Sequence, residues 1–330
     1  MTSIMEKLSV NSQAELISSV THLPPLNNSL GPRVAAAEKS NPDGTHLFSL
    51  SDGRALEYNL YNRSCKRNLL YFPCLAGGKH WSDEAVAICK ARDLRVLSPS
   101  RAGFGRSSPV RLENTALLDQ HIADLTEFMD HVGINQDIVA VSYGSGFAPA
   151  LRYAMSQPGR CRHLVAINPI PPAPHILDAN TLKGVFKVAH VASRFAPRAY
   201  KSLAYLTVRF HRATRNLKKS PSVLPDFNLA ELETESGFAA FLRNADDNQA
   251  NGTDTLWREG TISLSDWLPD PINSNRLPKS VWVETTDSPF TVNGAFEEFR
   301  KSIRAKMITS SATFPLLANQ LPDAFDVLGL

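Results

Sequence analysis

The sequence predicts a doubly wound, mostly parallel α/β sheet interrupted late in the chain by an inserted helical cap. Three observations carry that reading. Short apolar runs alternate with helix-period segments from Asn68 to Asn168, and two further apolar runs follow at Val281 to Glu284 and Met307 to Ser310, the pattern of strand–helix–strand units. Within them, Asp137 to Tyr153 (DIVAVSYGSGFAPALRY) passes from an apolar strand through small residues straight into a helix. Between about Pro171 and Asn275 the alternation stops and helical stretches take over.

Taken in order, residues 1–45 form an N-terminal extension, with a possible amphipathic helix over its first twenty residues and then a loop rich in Pro, Asn and Gly. HLFSLSDGRALEYNLYN, from His46, gives two β-like runs about Asp52-Gly53, which reads as a two-residue hairpin turn. Strands are predicted at Asn68 to Phe72, Arg95 to Ser98, Ile138 to Val141 and His163 to Asn168. Helices are predicted at Trp81 to Ala91, Leu112 to Val132 and Ser145 to Ser156. The core is therefore assigned to 46–170 and 276–330, and the cap to 171–275. Within the cap, Thr181 to Ser220 carries ten Lys or Arg and no acid, whereas Asp226 to Glu259 carries eight acids and two arginines; the two halves are expected to pack and neutralise each other.

The 330 residues offer ample chain for a large core. Charged residues make up 20% and the net charge is +3, too little to imply a nucleic-acid partner. The four cysteines, Cys65, Cys74, Cys89 and Cys161, show no CxxC spacing, which argues against zinc and for reduced thiols. No apolar run of signal-peptide or membrane-spanning length occurs. The expectation is a soluble, cytoplasmic protein with a small-molecule substrate or ligand, no transmembrane segment, and no cofactor or metal.

Ala140, Val141, Ser142, Tyr143 and Gly144 follow the small-x-Ser-x-Gly order of a nucleophile elbow. Such a turn holds its serine in a strained conformation with Oγ clear of the sheet, and the next amide, that of Tyr143, would face an oxyanion from a helix N-terminus.

Around this stretch the loops resemble the α/β-hydrolase superfamily, in particular its capped esterase-like and epoxide-hydrolase-like members, over roughly Leu47 to Asn168 and Pro278 to Leu328. SPSRAGFGRSSP, Ser98 to Pro109, is similar to the P-D-R-x-G-x-G-x-S loop of that family, with Ser100 in place of Asp. YFPCLAGGKHW resembles the loop that supplies the first oxyanion amide, with Pro73-Cys74 where the family has His-Gly; the resemblance gives that amide to Leu75. VWVETTDSPFTV resembles the turn presenting the acidic triad member, which falls on Asp287. MITSSATFPLLANQLPDAF resembles the last strand and its Gly-His loop, but the histidine slot holds Thr313, and no histidine follows His211.

A threonine hydroxyl cannot take a proton near neutral pH, and loss of a triad member costs on the order of 10⁶ in rate. His80 and His175 are the first candidates for a substitute base, with His190 and His211 as possible contributors from the cap. Cys74 reads as a small buried thiol. Two functions stay open. One is a divergent hydrolase-fold enzyme acting on a small or medium apolar carbonyl or ester compound through Ser142 and Asp287. The other is a non-catalytic ligand-binding or interaction protein, or a lyase or isomerase that uses the oxyanion hole alone.

Overall fold

The computed structural model describes residues 44–74, 77–172, 234–251, 253–263, 265–268, 277–285, 294–310 and 317–330. In chain order the elements are β1 (Thr45–Ser49), β2 (Ala55–Tyr61), β3 (Arg67–Phe72), α1 (Asp83–Ala91), β4 (Leu94–Pro99), α2 (Asn114–His131), β5 (Ile138–Tyr143), a 3₁₀ turn (Gly144–Gly146) and α3 (Phe147–Ser156). They continue with β6 (Cys161–Ile167), α4 (Glu235–Gln249), α5 (Thr253–Ser263), β7 (Lys279–Thr285), α6 (Gly294–Ser302), β8 (Lys306–Ser310) and α7 (Leu317–Leu328). The extension expected over the first residues of the chain lies outside the described residues, as does 173–233.

One eight-stranded sheet runs in the order β1-β2-β4-β3-β5-β6-β7-β8. The pairs β1/β2 and β2/β4 are antiparallel, and all later pairs are parallel. The mostly parallel sheet is thus as expected. The hairpin differs in detail. Ser49 pairs with Ala55, so its loop holds Leu50 to Arg54 and not two residues. Asp52 Oδ1 accepts from the Arg54 amide at 3.0 Å, and this side-chain turn accommodates the longer connection.

Period-2 alternation sorts the strands onto two cores. Ile138, Ala140, Leu164, Ala166 and Trp282 join Phe128 of α2, Phe147 and Leu151 of α3 and Phe299 of α6 on one face. Val139, Val141, Tyr143, Val165, Val281 and Val283 join Ala85 and Cys89 of α1 and Phe325 of α7 on the other. Both faces are covered, so β5 is buried at every position. Ser82 caps α1, its Oγ accepting from the Ala85 amide at 3.3 Å, with Asp83 and Glu84 in the first turn.

From β3 the chain steps outward to β4, then returns to β5 on the opposite side of β3 and continues through β6, β7 and β8. The winding therefore reverses between β3 and β5, and the loops after them diverge around a crevice at their carboxyl ends. Phe72 is in register with Ser142, so Pro73 and Cys74 run beside Tyr143 and Gly144. Gly146 sits in this gap. A Cβ there would lie 2.1 Å from the Phe72 carbonyl oxygen and 2.6 Å from that of Pro73, closer than any side chain tolerates.

Gly146→Ala is expected to destabilise the fold by roughly 3 kcal/mol, the upper range for a forced backbone shift. Gly159→Ala, where a new Cβ meets nothing within 4 Å, should change little. Urea denaturation of both variants checks this, and equal midpoints would refute the close approach.

Candidate functional site

The turn after β5 departs from the expectation. Ser142 is the fifth residue of β5, fully buried, on the face that carries Ile138 and Ala140 under α3. Its Oγ donates to the Val165 carbonyl at 3.2 Å. Ser142 is absent from the left-handed backbone positions; the one at this turn is Gly144, at φ +53°. The expected exposure of Ser142 Oγ above the sheet is therefore corrected: strand period, not turn strain, sets its direction. Tyr143 is likewise still extended, at φ −127° and ψ 127°, so the helical turn begins at Gly144 and the first amides of that turn belong to Ser145 and Gly146.

At the apex, the left-handed backbone suits a residue without Cβ. A Cβ on Gly144 would lie 3.2 Å from Cys74 Cβ. The side chain across the crevice thus comes from Cys74, on the loop after β3. From the loop after β6, the Ile170 amide donates to the Gly144 carbonyl at 3.2 Å and the Asn168 amide to Val283 at 2.8 Å.

Two charge clusters join the inserted helices to the loops bordering the crevice. In the first, Lys79 has only 1% of its side chain exposed, and Nζ meets Glu57 at 2.9 Å and Asp247 of α4. Glu57 also takes Arg106 Nε at 2.6 Å. Burial pushes the Asp247 carboxyl up, but His80 and Lys79 together outweigh it and hold the group below its ordinary range. The Asn59 amide nitrogen lies 3.2 Å from His80 Nδ1 and donates to it, leaving Nε2 to carry the hydrogen that meets Asp247 at 3.1 Å. His80, a candidate substitute base, thus has both ring nitrogens engaged away from Ser142. Asn244 of α4 completes the joint, accepting from the His80 amide at 3.0 Å and donating to its carbonyl at 2.9 Å.

In the second cluster, Arg101 donates to the carbonyls of Pro73 at 2.9 Å and Cys74 at 3.1 Å. It also lies 4.5 Å over the Phe104 ring. Glu259 of α5 faces Arg101 at 3.6 Å and bonds His121 of α2. Burial raises the Glu259 carboxyl, and Arg101 and His121 overcome that and lower it. The SPSRAGFGRSSP loop therefore braces the loop after β3 against α5. Beneath Arg101 lies a cavity of about 20 Å³, bordered by Phe72, Pro73, Ser100, His121 and Pro149, room for a single water.

Glu284, near the end of β7, is the titratable group that the motifs did not indicate. It shares the face of Trp282, is 8% exposed, and burial alone pushes its carboxyl up to about 7. Leu75, Asp287, Thr313 and His175 lie outside the described residues, as do His190 and His211. The thiols of Cys89 and Cys161 are pushed up to about 12, chiefly by burial. Among the described residues no group of three His, Cys, Asp or Glu is placed to hold a metal ion, and no helix is long and apolar enough to cross a membrane.

Comparison with known proteins gives a consistent fold. The family model described as the alpha/beta hydrolase fold matches residues 67–306. No curated protein matches the sequence. Among solved structures, the esterase RhEst1 from Rhodococcus sp. is similar with a TM-score of 0.57 at 12% identity, over 81% of this chain and 90% of that one. The epoxide hydrolase CorEH gives 0.56 at 14% identity, over 87% and 96%. The enol-lactonase from Burkholderia xenovorans gives 0.55 at 14%, over 86% and 97%. At such identities the likeness is one of fold.

Two outcomes follow from the buried charges. Lys79→Met strands Glu57 and Asp247 near one another and should cost about 3 kcal/mol or more in urea denaturation; Arg162→Ala, which removes an exposed pair with Asp137 at 3.4 Å, should cost little. For Glu284, a folded carboxyl near 7 against an ordinary value of 4.5 means that its contribution to stability is complete below about pH 4.5 and is lost as pH rises to 7. Glu284→Gln lacks that loss. Its Tm should gain on the wild type between pH 4.5 and 7 and keep a constant lead above; parallel Tm profiles would refute the shift.

Proposed function

Because the chain belongs to the alpha/beta hydrolase fold family, its model matching residues 67–306, we propose that it is a member that works without a covalent nucleophile and binds a small or medium apolar carbonyl compound. The observation that carries this reading is Gly144 at φ +53° on the turn after β5. In this reading the nucleophile elbow is Ser142-Tyr143-Gly144-Ser145-Gly146, two residues further along than the serine pattern indicates. Ser142 and Gly146 are its small flanking residues, and its apex has no side chain to form an acyl or alkyl intermediate. The amide following the apex, that of Ser145, takes the oxyanion role assigned to Tyr143 from sequence, with Leu75 as the second donor. With neither a nucleophile nor an imidazole to serve, Asp287 has no triad role in this reading.

The inserted helices α4 and α5 act as part of a cap over this pocket, anchored through Lys79 and Arg101. Cys74 fills space that an apex side chain would otherwise enter. The exchange is reciprocal: the family pattern puts a glycine on the loop and a side chain on the elbow, whereas this chain has Cys74 on the loop and Gly144 on the elbow.

Wild type and Ser142→Ala are both expected to hydrolyse p-nitrophenyl acetate and butyrate at the buffer rate and to resist labelling by a fluorophosphonate. Medium-chain methyl ketones should raise the wild-type Tm by mass action. Turnover or labelling that depends on Ser142 would sink the reading. The same geometry predicts a gain of function. A folded Gly144→Ser/Cys74→Gly/Thr313→His variant should hydrolyse these esters about 10²-fold or more above wild type, the lower range for a positioned general base, whereas Gly144→Ser alone, strained and against Cys74, should not.

A further inference from the structure

If the site has no nucleophile, its remaining chemistry depends on which groups can move a proton. β5, β6 and β7 are in parallel register through Tyr143, Ile167 and Val283. The next residues, Gly144, Asn168 and Glu284, therefore share one level at the carboxyl edge of the sheet, beside the point where its winding reverses. Two strand spacings separate Gly144 from Glu284, roughly 10 Å. That is the reach of a small bound molecule.

Glu284 has 8% of its surface exposed, and among the described residues nothing pairs with it or donates a hydrogen bond to it. On one side its register partner is Thr309 of β8; on the other, Asn168 follows the end of β6 and its amide donates to the carbonyl of Val283, the residue before Glu284. Neither side chain titrates. On the Trp282 face of the sheet the helices contribute Phe147 and Leu151 of α3 and Phe299 of α6, and Ile303 follows α6, all uncharged. A carboxyl so placed is desolvated without being neutralised, and its carboxylate is a much stronger base than one in water.

Resting on the reading that the elbow lacks a nucleophile, we infer that Glu284 is a catalytic base of this site and that the reaction is proton transfer next to a carbonyl, not hydrolysis. The carboxylate takes a proton from the carbon beside the carbonyl. The C–H electron pair moves into the new C=C bond, and the carbonyl π pair moves onto oxygen to give an enolate. The amides after the apex are the donors for that oxygen. The proton then returns from Glu284 to a carbon of the same molecule, so product and substrate are isomers and no water or co-reactant is consumed.

The test uses 5-nitrobenzisoxazole, from which a carboxylate base removes the ring C–H proton as the N–O bond breaks to release a coloured cyanophenolate. Wild type should eliminate it at least 10²-fold faster than acetate at equal carboxylate concentration, with kcat/KM rising with pH to a plateau and an inflection near 7, where burial has moved this carboxyl. Glu284→Gln should lose at least 10-fold with an unchanged circular dichroism spectrum, whereas Glu298→Gln, an exposed carboxyl on α6, should behave as wild type. A wild-type rate no better than acetate, or a Glu284→Gln rate equal to wild type, overturns the assignment of Glu284. Inert esters in the same preparation would then show that the absence of a nucleophile still stands. Serine labelling by a fluorophosphonate would bring down that reading independently.

Discussion

Everything at the candidate site depends on how closely β5 and its following turn approach the loop after β3. The sheet reverses its winding between these two strands, so their loops must part, yet Gly146 brings the backbone of the turn against the carbonyls of Phe72 and Pro73. Such contact is possible only where Cβ is missing. It fixes the position of Gly144, and with it the 3.2 Å approach of any apex side chain to Cys74 Cβ. A side chain can be accommodated on the loop or on the elbow without strain, and this protein has it on the loop. In the proposed reading, a missing apex side chain and a missing loop glycine are one arrangement of packing, seen from two strands.

The loop itself is held from below. Arg101 occupies both carbonyls of the Pro73-Cys74 segment and is in turn set by Glu259 on an inserted helix. Lys79 does the same for the far end of that loop through Asp247. Buried ion pairs add little net stability, because desolvation offsets the attraction, but breaking one is costly. Their effect here is on geometry: two joints, one at α4 and one at α5, hold the inserted helices in a single position relative to the crevice edge. Moving α4 and α5 away from the crevice edge would expose Lys79, Glu57 and Glu259 to water.

The strands were legible because each is a short apolar run bounded by polar turns, and parallel strands buried on both faces leave no other pattern. If the elbow lies at Ser142 to Gly146, as proposed, it was legible only to within two residues. Ala140 to Gly144 and Ser142 to Gly146 both end on small residues, and the serine inside the first drew attention to it. The discriminating signal was length. A strand that must stay level with Phe72 across the ladder needs Ser142 and Tyr143 as strand residues, and only the second pattern leaves them there. Partner pairs such as Lys79 with Asp247 or His121 with Glu259 join residues 138 or more positions apart, so no local pattern announces them. Leu75, Asp287 and Thr313 rest on resemblance alone, since they fall outside the described residues.

Glu284 stands apart when the buried acids are compared. Glu57 meets Lys79 and Arg106, Asp124 takes both terminal nitrogens of Arg54, and Glu259 lies between Arg101 and His121. In each case the fold brings a cationic or ring-nitrogen partner to a carboxylate that it removes from water. No described residue does so for Glu284, although Thr309 is its register partner on β8 and Asn168 lies just past the end of β6. A glutamine would fill the same volume with no charge to desolvate, so stability alone gives no reason for a carboxyl here. What distinguishes an unpaired carboxyl from its amide is the capacity to exchange a proton near neutral pH, and its place at the carboxyl edge, level with the apex of the turn, is where that capacity would meet a bound molecule.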